Sequence, residues 1–203
     1  MIDYSLLKFK KNGQVSTKSL MDFLLYCNGE ERWDAFWELT HDDAEDYPMS
    51  WKTFYKGLVF AYGSGKASHS EAKELFDEIM SFEEYADKKD IKWLESKWCE
   101  GHGIIVYRGC TTGEIDDDNI GVSWTTDLGT AEFFAYRYKD QLEKEGYQPC
   151  VIKAEVGFAD IKAVLRNRDE DEVVITELYA DDVEIISTES TEMFDNYMKA
   201  RVW

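Results

Sequence analysis

Gly103-Ile-Ile-Val-Tyr-Arg108 is the stretch on which the fold of this chain turns. It is β-branched and aromatic, a glycine stands at its start and another follows it at Gly109, and it reads as a strand. Before it, apolar residues recur at helical spacing; after it, they come in short β-rich runs. The change of period near residue 101 divides the sequence into a helical N-terminal region, 1–100, and a C-terminal core of short strands, 101–203. A length of 203 residues permits one large domain or two small ones, so the two parts could also form one continuous domain. The expected class is α+β.

Toward the N-terminus, Leu20, Phe23, Leu24 and Cys27 mark one helix, and Trp51 to Tyr62 reads as another after an acidic loop over residues 41–48. Gly63-Ser-Gly-Lys66 resembles a phosphate loop only in part. Phe60 and Ala67 stand where that loop needs glycine and a hydroxyl, so it reads as a turn. Ser68 and Glu71 form a capping box ahead of the stripe Ala72, Leu75, Phe76, Ile79 and Met80. A further helix carries Ile91, Leu94 and Trp98. All these stripes read as core.

Toward the C-terminus, Val122 to Thr125 is a short strand. Asp127 caps a helix with the face Ala131, Phe134, Ala135, Tyr138 and Leu142. Strands follow at Cys150 to Val156, Glu172 to Thr176 and Val183 to Ser187, and a last helix is expected from about Thr191 to Lys199.

Composition narrows the function classes. Apolar residues make up 44% and aromatics 15%, enough for a folded core. No apolar run reaches a membrane span and the first residues lack a signal pattern, so a soluble cytoplasmic protein is expected. Cys27, Cys99, Cys110 and Cys150 are scattered, which fits reduced thiols. Cys99, His102 and Cys110 have no fourth ligand at a recognisable spacing, so no metal is expected. Lys plus Arg total 23 against 42 Asp plus Glu, a formal charge of −19, which opposes direct binding to nucleic acid. The same charge suits solubility, a basic partner, or imitation of a polyanion.

Three C-terminal segments stand out: Tyr107-Arg108-Gly109 at a strand end, Ser123-Trp124-Thr125-Thr126 on the next strand, and Glu170-Asp171-Glu172 entering a later one. Taken singly they read as a surface charge, strand propensity and a solvated acidic loop. In this order they resemble the Arg–Ser–Glu branch of the ADP-ribosyltransferase superfamily, the branch of many bacterial toxins and phage-encoded transferases. The helix at Ala131-Glu-Phe-Phe-Ala135 and the strand Val151-Ile-Lys-Ala-Glu-Val156 fit the same pattern, and the resemblance covers roughly Gly103 to Ser187. It departs in the Ser motif, where Trp124 replaces the usual Thr. Ser123 and Thr125 still share one strand face, and Trp124 points to the other.

The resemblance implies a split-sheet catalytic core that uses NAD as co-substrate. Cleavage of the nicotinamide–ribose bond builds positive charge on the sugar, and a fixed anion stabilises it. The resemblance gives that task to Glu172, with Ser123 fixing its rotamer. Glu170 would orient or deprotonate the acceptor, provided the strand conformation reaches back to it. Arg108 would grip the phosphates, Gly109 would approach the nicotinamide amide through its backbone, and Thr125 would support the same wall. Tyr107 and Phe134 are candidates to stack on the ring, with core packing an equal reading. The loop Ala163 to Asp169 would help choose the acceptor, and Arg166 and Arg168 in it serve equally as charge balance. The expected activity is mono-ADP-ribosylation of a protein, with arginine as acceptor, in a bacterial cytoplasm. A basic or nucleic-acid-associated bacterial protein suits the acidic surface as target. The alternatives are an NAD glycohydrolase and a non-enzymatic acidic nucleic-acid mimic.

Overall fold

The computed structural model describes residues 2–41, 49–64, 67–166 and 171–189. The expected helix over Thr191–Lys199, most of the acidic loop 41–48, and Gly65 and Lys66 lie outside the described residues. The protein is mixed α/β, with nine α-helices and an antiparallel sheet of seven strands among the described residues. It divides into two compact units, Met1–Ala86 and Asp87–Trp203.

The first unit holds α1 (Thr17–Tyr26), α2 (Glu31–His41), α3 (Trp51–Tyr62), α4 (His69–Asp77) and α5 (Phe82–Tyr85). Ser16, Ser50 and Ser68 each accept a backbone N–H in the first turn of α1, α3 and α4, satisfying a donor that the helix start leaves open. The stripes largely behave as core, with Leu20, Phe23, Leu24, Phe54, Leu58, Leu75, Phe76 and Ile79 buried, but Met80 lies beyond the end of α4 and is 88% exposed. The capping box at Ser68 and Glu71 forms, and Glu71 also accepts the Trp33 indole N–H at 3.0 Å. Trp33 belongs to α2, a helix whose many charges hide its stripe of Trp33, Ala35 and Phe36 from a reading of periodicity.

The second unit runs α6 (Lys88–Glu95), β1 (Trp98–Cys99), β2 (Gly103–Thr111), α7 (Thr112–Asp116), β3 (Ser123–Thr125), α8 (Leu128–Tyr136), α9 (Lys139–Lys144), β4 (Pro149–Val156), β5 (Ile161–Leu165), β6 (Glu172–Ile175) and β7 (Glu184–Ser187). The sheet order is β5-β6-β3-β2-β4-β7, with β1 paired to the start of β2. Three expectations are corrected here. Trp98 is not on the helix of Ile91 and Leu94: α6 ends at Glu95, and Trp98 lies in β1 with its ring stacked on Phe158 at 5.7 Å. The helix opened by Asp127 does not run on to Leu142. Tyr138 leaves helical geometry (φ −120°, ψ 22°), the buried face ends at Tyr136, and α9 beyond it buries nothing. Ala163 to Leu165 are not loop but the end of β5, paired with β6.

Helix α8 covers one face of β2 and β4, where Ala131, Ala135 and Tyr136 pack with Val151, and Tyr107 and Leu128 lie against them. The approach is close because β2 carries glycine beneath the helix. A Cβ on Gly109 would stand 2.1 Å from the Ala131 carbonyl oxygen and 2.4 Å from the Ala135 nitrogen, both backbone atoms that cannot swing aside. Gly109→Ala is therefore expected to destabilise the protein by about 2 kcal/mol through overpacking. Urea denaturation measures it, and an unchanged midpoint would show that α8 can lift without cost.

Candidate functional site

One transverse row of the sheet builds the site. Tyr107 on β2 pairs with Thr125 on β3, and Thr125 pairs with Glu172 on β6. Partners in such a row share a face, and residues two apart on one strand return to it, so Ser123, Thr125 and Glu172 stand on one side. The Ser123 hydroxyl donates to Glu172 Oε1 at 2.6 Å. The Thr125 hydroxyl oxygen accepts the Asp127 N–H at 3.1 Å, in the turn that launches α8.

Arg108 alternates away from Tyr107, yet its guanidinium comes to the same place. Strand β3 is only three residues long, and Arg108 reaches its first residue, donating from Nη1 to the Ser123 carbonyl at 2.9 Å. Its Nη2 donates to Glu114 Oε2 at 2.8 Å. Glu114 is itself held, because its Oε1 accepts the Thr111 N–H at 3.2 Å in the capping box of α7. Gly121 leaves the room for this: a Cβ there would lie 2.1 Å from Arg108 Nη2. The pair is largely sheltered, with side-chain exposures of 19% for Arg108 and 30% for Glu114. Arg108 Nε is buried without a hydrogen-bond partner among the described residues.

These groups surround a cavity of about 240 Å³ lined by Tyr107, Arg108, Gly109, Ser123, Thr125, Phe134 and Glu172. Seven of the eight residues singled out from the sequence thus share one wall; the eighth, Glu170, lies outside the described residues, as does Arg168. Trp124, buried to 2% exposure, also contributes to the lining. Arg137 does too, although no motif marks it. It follows the last residue of α8, it is exposed, and its guanidinium lies 4.5 Å from the Phe134 ring centre and 5.4 Å from that of Phe133. Aromatic faces at these distances hold a cation in place.

The chain entering β6 is turned rather than extended. Asp171 has φ +46°, its carbonyl accepts the Thr126 N–H at 3.2 Å, and its carboxylate pairs with Lys97 at 3.1 Å. Extended geometry therefore stops at Glu172, and strand alternation cannot be carried back to place residue 170 on the same face. Arg166 stands apart from the cavity lining, its guanidinium 5.2 Å from the Trp93 ring centre.

Among the described residues no group of three or more His, Cys, Asp and Glu is arranged to hold a metal ion. Among them also, no helix is long and apolar enough to cross a membrane. No protein-family model matches the chain, and no curated protein or solved structure matches it either.

Glu114 accepts two donors, one of them charged, and was not legible as part of the site. Glu114→Ala should cost about 2 kcal/mol, the scale of losing a hydrogen bond to a charged group in a sheltered place. Thermal and urea unfolding measure it. A loss no larger than that of an exposed Glu143→Ala control would show that the pair with Arg108 carries no weight.

Proposed function

We propose that the chain is an NAD-dependent ADP-ribosyltransferase of the Arg–Ser–Glu type that modifies a protein, with Glu172 as the catalytic carboxylate. The observation that supports this best is the Ser123–Glu172 hydrogen bond inside a cavity that Arg108 also lines. A carboxylate held by a short hydrogen bond has one direction, which is what stabilising a cation at a fixed point requires.

In this reading the nicotinamide end of NAD enters the cavity beside Phe134. Ligand cavities usually run from about 300 to 1,000 Å³, so this smaller one takes one end of a dinucleotide and leaves the rest outside. As the C1′–N bond breaks, nicotinamide leaves with the electron pair and the ribose becomes cationic next to Glu172. The acceptor then bonds to C1′ and gives up a proton.

The two arginines divide the remaining work. Both terminal nitrogens of Arg108 are already engaged by Ser123 and Glu114. Arg108 thus chiefly holds the serine that holds Glu172, and only its remaining N–H donors are left to meet a phosphate. Arg137, exposed at the cavity and steadied by aromatic faces, is the better phosphate ligand. The second reading is an NAD glycohydrolase, in which water takes the place of the protein acceptor.

Glu172→Gln should lower nicotinamide release by about a hundredfold or more, the scale of removing a transition-state electrostatic group. Release at the wild-type rate would reject the assignment. Incubating the wild-type protein with labelled NAD and a bacterial lysate separates the two readings: label on protein supports transfer, and free ADP-ribose alone supports hydrolysis. Arg137→Ala should weaken NAD binding roughly tenfold to a hundredfold, the value of one charged hydrogen bond. Calorimetry on the Glu172→Gln background reads it without turnover, and unchanged affinity would remove Arg137 from the site.

A further inference from the structure

Cys110 and Cys150 are cross-strand partners in the ladder between β2 and β4. Their Sγ atoms lie 3.6 Å apart, both thiols are free, and the residues are 5% and 0% exposed. Antiparallel partners have Cα atoms about 4.5 to 5.5 Å apart, within the span of roughly 4.4 to 6.8 Å that a disulfide bridges. Closing the bond needs the sulfurs to approach by about 1.5 Å, with the strands left in register. We propose that Cys110 and Cys150 form a redox modification site, at which hydrogen peroxide converts the two thiols into an intramolecular disulfide.

The surroundings favour reaction within this pair. The Cys110 thiol is pushed up by its hydrogen bond to Cys150 and by burial, so it keeps its proton. The Cys150 thiol is drawn down by that same hydrogen bond against the cost of burial, with the Glu114 charge opposing and the Arg108 charge favouring its thiolate. Thiolate is the reactive form. The pair is the last but one of the ladder, next to Thr111↔Pro149, where proline contributes no N–H.

The electrons balance with one peroxide. The Cys150 thiolate attacks a peroxide oxygen; the S–O bond forms as the O–O bond breaks, and the departing oxygen takes a proton to leave as water. Cys110, losing its proton, then attacks the sulfenic sulfur and displaces hydroxide, which takes up that proton and leaves as a second water. The two thiols are oxidised to one disulfide and the peroxide is reduced to two waters. This inference stands on the ladder and does not depend on NAD chemistry.

Intact-mass analysis after denaturation and alkylation with N-ethylmaleimide tests it. The reduced full-length chain should take one label on each of its four cysteines. After treatment with hydrogen peroxide it should lose the labels on Cys110 and Cys150 together, give a peptide linking those two residues, and recover both labels with dithiothreitol. Full labelling after peroxide, a bond through Cys27 or Cys99, or sulfinic acid at either residue without a cross-link would each overturn the proposal. Cys99→Ser, which removes the exposed thiol, should leave the cross-link intact; its disappearance there would equally overturn it. Cys110→Ser should abolish the link, and if that variant fails to fold the wild-type peptide map decides alone.

Discussion

A single sheltered guanidinium joins the pieces that make the site. Arg108 takes the carboxylate of α7 with one nitrogen and the carbonyl of the first residue of β3 with another. That residue, Ser123, holds Glu172 on β6. A continuous series of polar contacts thus runs from Glu114 to Glu172 across three strands of the sheet. Charged groups taken this far from water are stable only when each is matched, and here each oxygen and terminal nitrogen of the Arg108–Glu114 pair meets a partner. The glycine at 121 exists in this place because a methyl group would occupy the space of the guanidinium. The catalytic proposal needs a carboxylate with a fixed direction, and this series supplies it.

Much of the second unit was readable because strand periodicity is local. Gly103 to Arg108, Val122 to Thr125 and Cys150 to Val156 announce themselves by residue type, and the structure has strands there. The three segments that carry the resemblance could be aligned by order alone, and their gathering at one cavity follows from the register Tyr107↔Thr125↔Glu172. What was not readable depends on partners distant in sequence. Ile161 to Leu165 becomes a strand because β6 pairs with it, and residues 163–165 alone look like the start of a loop. Gly109 lines the cavity, and its lack of a side chain also lets α8 come close, since an added Cβ would meet backbone atoms of that helix. Arg137 has no motif around it, and only the end of α8 at Tyr136 brings it to the cavity. Helix α2 was hidden for the opposite reason: its charges are interleaved with its buried residues.

The turned backbone at Asp171 was also invisible, since a left-handed residue that is not glycine has no signature of its own. Such a conformation costs roughly 1 kcal/mol or more and persists where its surroundings impose it. Here a lysine from the segment after α6 and a backbone N–H after β3 both hold it. The orientation of the chain just before Glu172 is thus set by two anchors outside the strand itself.

The exposed position of Arg137 carries a kinetic consequence. In the proposed reading, a diphosphate approaches this site against a formal charge of −19. At low ionic strength that field reaches tens of ångströms and slows encounter, whereas near 0.15 M it fades within about 8 Å. Added salt should thus hasten the arrival of an anionic ligand while weakening its final hold on Arg137. Association and dissociation would both quicken together, and the apparent affinity would pass through a shallow optimum at intermediate ionic strength instead of falling steadily.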